Sequence, residues 1–131
     1  MPSDNVQQIE AIYAAFARGD VAAVIDAVDA DVEWVTPPTL PWSRGIYRGR
    51  AELGEYFHSF ASALEDPEVH AHELHALPGG RIIALGVERG RARSTGTTFE
   101  ARFVHLWNVH EGGVSAMQGL IDTAAIQSAF A

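Results

Sequence analysis

The chain has 131 residues, a formal net charge of -8 at pH 7 and 0 cysteines. A chain of this length forms one domain, predicted over residues 1–131, and its negative charge would repel a phosphate backbone, which argues against nucleic-acid binding. Without cysteine there is no disulfide framework and no thiolate metal site, and no apolar run reaches the ~18 residues of a membrane span.

Helical periodicity and turn residues predict three helices and one strand in the first half of the chain. In chain order these are a helix from Ser3 or Asp4 to Gly19, a short helix capped by Asp20, a strand over residues 31–36, a proline-broken loop to Gly49, and a helix from Arg50 to Leu64. The N-terminal Met-Pro-Ser-Asp lacks the pattern of a secretory signal, so we expect a cytoplasmic protein.

Alternating apolar residues predict that the second half is a long antiparallel meander. Its elements are strands over residues 68–77, 81–93, 97–110 and 114–122, followed by a short helix over residues 124–130. Helices first and a meander last are typical of an α+β domain, in which a curved sheet wraps on the helices. The concave side of such a sheet leaves an internal pocket.

Two tight turns set the predicted pairing of the last three strands. With Thr95-Gly96 as the two-residue link of a hairpin, Glu88 is predicted opposite Phe103. The next turn brings the last strand back along the middle one, so that His105 faces Gln118. One face of the sheet is thereby predicted to mix polar and apolar side chains, namely Glu88, His105, Gln118 and Asp122 among Phe99, Phe103, Trp107 and Leu120.

The polar groups of this face predict a ligand pocket, because each costs on the order of 1 to 3 kcal/mol if it is buried without a partner. His105 with Glu88 is predicted to move a proton or to stabilise an oxyanion. Asp122 is predicted to be a second acid/base, and Gln118 to orient the substrate. Two other interpretations stay open: His105 as a core histidine that Glu88 or Gln118 satisfies, and Asp122 as the N-cap of the helix after it.

Aromatic side chains are predicted to form the wall and mouth of the pocket. They are Trp34, Trp42, Tyr47 and Tyr56, together with Phe103 and Trp107 on the sheet face. Core packing is the alternative for Trp34 and Tyr56, since aromatic residues bury much area. His70, His72 and His75 suggest a metal site, but only the first two share a strand face, so we predict a solvated strand and neither a metal nor an organic cofactor.

The opposite face of the meander is strongly apolar. It is predicted to carry Leu85, Val87, Val104, Leu106, Met117 and Ile121. If the helices occupy the concave side, they leave this face exposed, and an apolar patch of that size is usually covered by another molecule. We therefore expect a homodimer built on the sheet.

Five segments follow one another along the chain: "AIYAAFARGD", "DVEWVTPP", "GIYRGRAELGEYF", "STGTTFEARFVHLWNVHEGGV" and "LIDTAA". In this succession the chain resembles the SnoaL-like branch of the nuclear transport factor 2-like (NTF2-like) superfamily, which also includes ketosteroid isomerases. The resemblance spans nearly the whole chain. It implies a cone-shaped α+β barrel with a deep pocket, commonly dimerising through the sheet.

The resemblance also implies roles for particular positions. Ketosteroid isomerases carry a general-base aspartate at the position of Thr36, and threonine cannot be that base. Their protonated aspartate, an oxyanion donor, aligns with His105, and their tyrosine in the first helix falls at Ile12, beside Tyr13, which we therefore include among the substrate-binding residues. SnoaL-like cyclases keep an acid/base aspartate that matches Asp122.

The predicted function is that of a small-molecule pocket protein. We expect a cofactor-independent acid/base enzyme of the isomerase, cyclase, dehydratase or hydratase type, acting on a compact apolar carbonyl or ring compound. The alternative is a ligand-binding or interaction domain of the same fold, in which the same residues only satisfy bound polar groups. The absence of an acid at Thr36 favours this alternative.

Overall fold

A computed structural model describes residues 2–131 of the chain, with side chains from Asp4 onward. These residues form helices α1 (Pro2–Ala17), α2 (Val21–Ala27), α3 (Gly49–Ala63) and α4 (Thr123–Phe130). They also form strands β1 (Glu33–Val35), β2 (Ile46–Arg48), β3 (Leu64–Leu77), β4 (Arg81–Ala92), β5 (Thr98–His110) and β6 (Gly113–Ile121). The predicted α+β class, with a curved sheet wrapped on helices, is confirmed.

The sheet is mixed and does not close into a barrel. Its strand order is β2-β1-β6-β5-β4-β3, and β1 runs parallel to β6 while the other neighbours are antiparallel. The sequence had predicted β2 as part of a loop, and a three-residue strand carries too little alternation to be detected. β3 begins at Leu64, directly after α3, and is longer than predicted.

The two helix caps proposed near the N-terminus have different outcomes. The Asp20 carboxylate accepts a hydrogen bond from the Ala23 N–H at 3.1 Å, so the predicted cap of α2 is confirmed. α1 begins at Pro2, which places Ser3 and Asp4 inside its first turn instead of before it. Proline is well tolerated at such a first position because its missing N–H would have no partner there.

The β4–β5 pairing is shifted by two residues from the prediction. Ala92 N–H donates to the Thr97 carbonyl at 2.9 Å, and four residues, 93–96, form the turn in place of the expected two. Because the shift is even, every side chain keeps its face. Glu88 now lies opposite Ala101 and His105 opposite Ala84, so the predicted Glu88–Phe103 pairing is wrong.

The β5–β6 pairing is shifted by one residue, and this changes faces. A bulge inserts one residue, Ser115, into β6 opposite Asn108 and Val109, and beyond it His105 lies opposite Gly119 and not Gln118. An odd shift turns every side chain over. Met117 and Ile121, predicted outside, therefore point to the core, while Gln118 and Leu120 point away from it.

The helices cover one face of the sheet, here called the inner face. It holds the even-numbered residues of β4 from Ile82 to Ala92 and the odd-numbered residues of β5 from Phe99 to Val109, which are buried apart from the half-buried His105. None of the helices formed by residues 2–131 combines the length and the hydrophobicity that a bilayer span requires.

Candidate active site

A hydrogen-bonded set of three side chains lies inside the fold, where the side chain of Tyr13 on α1 reaches β5. The Tyr13 hydroxyl is 2.5 Å from Nδ1 of His105, and Nε1–H of Trp107 donates to the same hydroxyl at 3.1 Å. His105 and Trp107 are two positions apart on β5 and therefore share the inner face. α1 places Tyr13 on its buried side with Ile9 and Ile12.

Aromatic rings frame this set. The ring of Phe103 stacks on His105 with centroids 3.9 Å apart, and Trp107 meets His105 at an interplanar angle of 82°. Opposite His105 on β6 stands Gly119, where a Cβ atom would lie 3.3 Å from Cδ2 of the imidazole. The imidazole therefore packs against the ring of Phe103, and on the β6 side its neighbour at this position is a glycine, Gly119.

Burial keeps both titratable members of the set neutral. It lowers the pKa of His105 to about 3, so the ring carries a single proton at physiological pH. It raises the pKa of the Tyr13 phenol well above its usual value, an effect that the Trp107 hydrogen bond only partly offsets. Nε2 of His105 makes no hydrogen bond within residues 4–131, so its hydrogen-bonding capacity is free.

A groove gives access to Tyr13. It lies between α1 and the inner face of β3 and has a volume of about 510 Å³. Its lining includes Glu10, Tyr13, Val69, Ala71, His72 and Leu74. A groove of this size is within the range of small-molecule sites, and its walls mix apolar side chains with the polar Glu10, His70 and His72.

Glu88 is buried on the inner face without a partner. The residue is 8% exposed, its carboxyl group forms no hydrogen bond with any residue from 4 to 131, and burial alone raises its pKa to about 8. It lies four positions along the paired strands from His105, roughly 13 Å. The predicted Glu88–His105 pair therefore does not form, because the two-residue shift moved the groups apart.

A second polar cluster surrounds the Tyr56 hydroxyl. Nε1–H of Trp42 donates to it at 3.2 Å, and Thr36 lies beside it. The Thr36 hydroxyl is 2.6 Å from that of Ser43. Burial, and after it the charge of Glu88, raises the pKa of the Tyr56 phenol well above its usual value. The sequence analysis did not predict that Thr36 and Ser43 pair. The available signal was a threonine at the end of a predicted strand, directly before Pro37.

Trp34 connects the two clusters. Its ring contacts Tyr56 and Trp107, with centroids 6.1 and 5.6 Å apart. It is 3% exposed, and its Nε1–H has no hydrogen-bond acceptor among the described residues. Buried indole N–H groups normally find a partner.

Two of the predicted site residues are not near His105. Asp122 is exposed, and its carboxylate accepts a hydrogen bond from Ala125 N–H at 3.2 Å, which is the N-cap of α4. Gln118 is exposed on the face of the sheet that points away from the helices. The structure favours the capping interpretation of Asp122 and gives no support to a substrate role for Gln118.

The histidines of β3 lie near the groove but do not form a metal site. The rings of His70 and His72 meet edge to face at 4.7 Å, and His75 pairs with Glu73 at 2.9 Å. Among residues 2–131 no group of three or more His, Asp or Glu side chains has a geometry that would hold a metal ion.

Comparison with known proteins identifies relatives along nearly the whole chain. The family model for the SnoaL-like domain matches residues 9–117. An NTF2-like protein from Burkholderia xenovorans LB400 is 32% identical, with a TM-score of 0.79 over 97% of this chain and 95% of that chain. An NTF2-like protein from Burkholderia thailandensis E264 is 27% identical, with a TM-score of 0.89 over 97% of each chain.

A third similar structure carries a small molecule. TerC, co-crystallised with polyporic acid, is 26% identical to this chain, with a TM-score of 0.85 over 98% of each chain. Among curated protein sequences there is no significant match.

Proposed function

The chain belongs to the SnoaL-like family, and on that premise we propose that it is a cytoplasmic small-molecule enzyme that uses acid/base chemistry without a cofactor. Its substrate is a compact, largely apolar carbonyl or ring compound, and the reaction is of the isomerase, cyclase, dehydratase or hydratase type. The observation that carries the proposal is the Tyr13–His105–Trp107 set, a neutral hydrogen-bonding group held inside an apolar frame.

The chemistry follows from where the protons lie. Trp107 can only donate, so it fills one acceptor site of the Tyr13 oxygen and holds the phenol in place. One proton then lies between Tyr13 and Nδ1 of His105, and a second is carried by either Nε2 or the phenol. The pair therefore offers one donor to a ligand oxygen and stabilises negative charge that develops on it.

The same pair can pass a proton between its two members. Nε2 takes a proton from a C–H bond of the substrate, and the Tyr13 phenol gives its own proton to the substrate oxygen. The proton on Nδ1 then moves to the Tyr13 oxygen, so the pair stays neutral overall. An enolisation is such a step: the C–H bond breaks, an O–H bond forms, and no charge is left in the buried site. Proton transfer of this kind contributes typically 10²- to 10⁴-fold to a rate.

A non-catalytic ligand-binding protein is the second candidate, and two observations favour it. Thr36 stands where isomerases of this superfamily would carry their base, and it is bonded to Ser43. Asp122, the other expected acid/base, caps α4. Binding needs only the hydrogen-bonding pair, while turnover needs that pair to move protons.

One experiment separates the two candidates. Polyporic acid, the compound crystallised with TerC, and 2-tetralone are titrated against the wild type, and exchange of the 2-tetralone α-protons in D₂O is followed by NMR. We expect binding and exchange, with exchange lost in Tyr13→Phe and His105→Ala and kept in His58→Ala, an exposed histidine on α3. Binding without exchange supports the second candidate, and equal exchange in His105→Ala contradicts the first.

We also propose that two copies associate through the outer face of the sheet. Because β6 is turned over, this face holds Leu120 in place of the predicted Met117 and Ile121. Leu85, Val104 and Leu106 lie on it as predicted. Leu120 is 61% exposed and pairs directly with Val104, which is 37% exposed. Adjacent exposed aliphatic residues of this kind are typical of an interface.

A further inference from the structure

The groove beside Tyr13 carries a polar group on each of its two walls. On the α1 wall lies Glu10, one helical turn before Tyr13, and on the β3 wall lies His72. Residues three apart on a helix share a face, with Cβ atoms about 5–6 Å apart. Glu10 is exposed while Tyr13 is only 8% exposed, so the groove runs from a polar end at the solvent to a buried end.

An irregularity in β3 sets the place of His72. Ala71 pairs with Gly86 of β4, and the pairing then resumes one residue late, so His72 is the extra residue of a bulge. Gly86 in turn pairs with Phe103 of β5, whose ring stacks on Tyr13 with centroids 6.3 Å apart. Bulges are over-represented beside active sites, and this one lies in line with a ring that packs the candidate site.

The histidines of β3 differ in their partners. His75 bonds to Glu73 at 2.9 Å, and neither residue lines the groove. His72 and Glu10 line it and form no hydrogen bond or ion pair with any residue from 4 to 131. The ring of His70 packs edge to face on that of His72 at 4.7 Å, which limits how the imidazole can turn. The two polar groups of the groove are therefore free to bind a ligand.

We infer that Glu10 and His72 are specificity-determining residues that bind a hydroxyl group of the substrate. The inference rests on the proposed function, since it takes the substrate into the same groove with its carbonyl end at Tyr13. It adds a requirement to that substrate, which is a ring ketone of one or two fused rings with a hydroxyl group at the end that faces the solvent.

The chemistry of the two side chains selects a hydroxyl group. An ionised carboxylate only accepts hydrogen bonds, and an imidazole donates an N–H in either protonation state. A hydroxyl group serves both walls at once, because its O–H donates to Glu10 and its oxygen accepts from His72. An ether oxygen cannot donate and an ammonium group cannot accept, so each of these would leave one wall without a hydrogen bond.

The test compares the affinities of the full chain for three ketones of one shape: 2-tetralone, 6-hydroxy-2-tetralone and 6-methoxy-2-tetralone. We expect calorimetry to show that the wild type binds the hydroxy compound at least about tenfold more tightly than the other two. Glu10→Ala and His72→Phe should each lower that preference at least about threefold. The matched controls Glu73→Ala and His75→Phe, on β3 but outside the groove, should keep it.

The readout is the ratio of affinities, because a purely structural change would weaken the binding of all three ketones alike. A wild type without preference for the hydroxy compound, or a preference that both variants retain, would overturn the inference. Exchange of the α-protons of 2-tetralone in D₂O separates this result from the proposed function. Exchange that requires His105, with equal affinity for the three ketones, sinks the hydroxyl site and leaves the proposed function standing. A hydroxyl preference that depends on Glu10 and His72, without exchange in any ketone, supports this inference and contradicts catalysis.

Discussion

The buried Glu88 and the half-buried His105 are both held as neutral groups, and burial shifts their pKa values in opposite directions. The pKa of Glu88 rises from 4.5 to about 8, and the pKa of His105 falls from 6.5 to about 3. The raised pKa of Glu88 lowers the free energy of unfolding as the pH rises, and the lowered pKa of His105 lowers it as the pH falls. Glu88 favours the folded state below its unfolded pKa, and His105 favours it above its own.

These shifts predict a plateau in the free energy of unfolding between about pH 4.5 and pH 6.5. Within that window the folded state holds one proton more at Glu88 and one fewer at His105, so the two slopes cancel. Above pH 6.5 only Glu88 still titrates, and stability should fall by up to about 1.4 kcal/mol per pH unit until about pH 8. Below pH 4.5 the free energy of unfolding should fall, because His105 is protonated in the unfolded chain and still neutral in the folded state.

Urea denaturation followed by tryptophan fluorescence measures this profile. Glu88→Gln should remove most of the loss above pH 6.5, and His105→Gln should remove the loss below pH 4.5. A smaller alkaline loss remains in Glu88→Gln, because the Asp29 hydrogen bond raises the pKa of the exposed His110 and that contribution also disappears as the pH rises. A Glu88→Gln profile with the wild-type slope would show that Glu88 is not buried as a neutral acid.

At the scale of single elements, β4 depends on its glycines for close packing. A Cβ atom at Gly86 would lie 2.1 Å from the His70 carbonyl oxygen of β3, so the two backbones leave no room for a side chain. Gly54 is the opposite case, in the interior of α3 with nothing within 4 Å of its Cβ position. The same substitution therefore has opposite signs at the two positions.

We expect Gly86→Ala to destabilise the fold by about 1–3 kcal/mol or to prevent folding, because strand β3 must move to admit the methyl group. Gly54→Ala should stabilise by up to about 1 kcal/mol, since alanine restricts the unfolded chain and favours the helix. Thermal unfolding by circular dichroism measures both. A Gly86→Ala protein as stable as the wild type would show that β3 and β4 are further apart than the structure places them.

Turns and bulges mark the limit of what the sequence predicts about these elements. The alternation of apolar residues in β4 and β5 predicted both strands and which side chains share a face. It did not reveal that the hairpin turn spans residues 93–96, because Gly96 with its φ of 75° fits turns of several lengths. The bulge at Ser115 was equally hidden, and it alone turned β6 over.

The candidate site was predictable to the same degree. His105, Phe103 and Trp107 share a strand face by alternation, and the resemblance to isomerases drew attention to Tyr13. Their hydrogen bonds depend on how α1 packs against the sheet, which periodicity does not encode. Glu88 was singled out as a polar residue in an apolar run, but its partner was wrong because partners follow from register.

For the whole molecule, the outer face of the sheet is the surface that the fold leaves uncovered. The helices lie on the inner face, and the outer face keeps Leu120 and Val104 as an exposed pair, with the half-buried Leu106 and Leu85 beside them. Charged side chains on the same face, Glu100 and Arg102, stand toward one end of β5. An apolar centre with charged residues at its edge is the usual composition of a protein interface.

We predict that the wild type is a homodimer at micromolar concentration and that Leu120→Glu converts it to a monomer. Two symmetry-related carboxylates at the centre of the patch would be brought together and desolvated, which costs more than the apolar contact stabilises. Val21→Glu is the control, because Val21 is 40% exposed but lies on α2, away from the sheet. Analytical ultracentrifugation measures all three. A stable interface must bury at least ~1,000 Å², so a wild type that sediments as a monomer would mean that this face of the sheet meets water or a different partner.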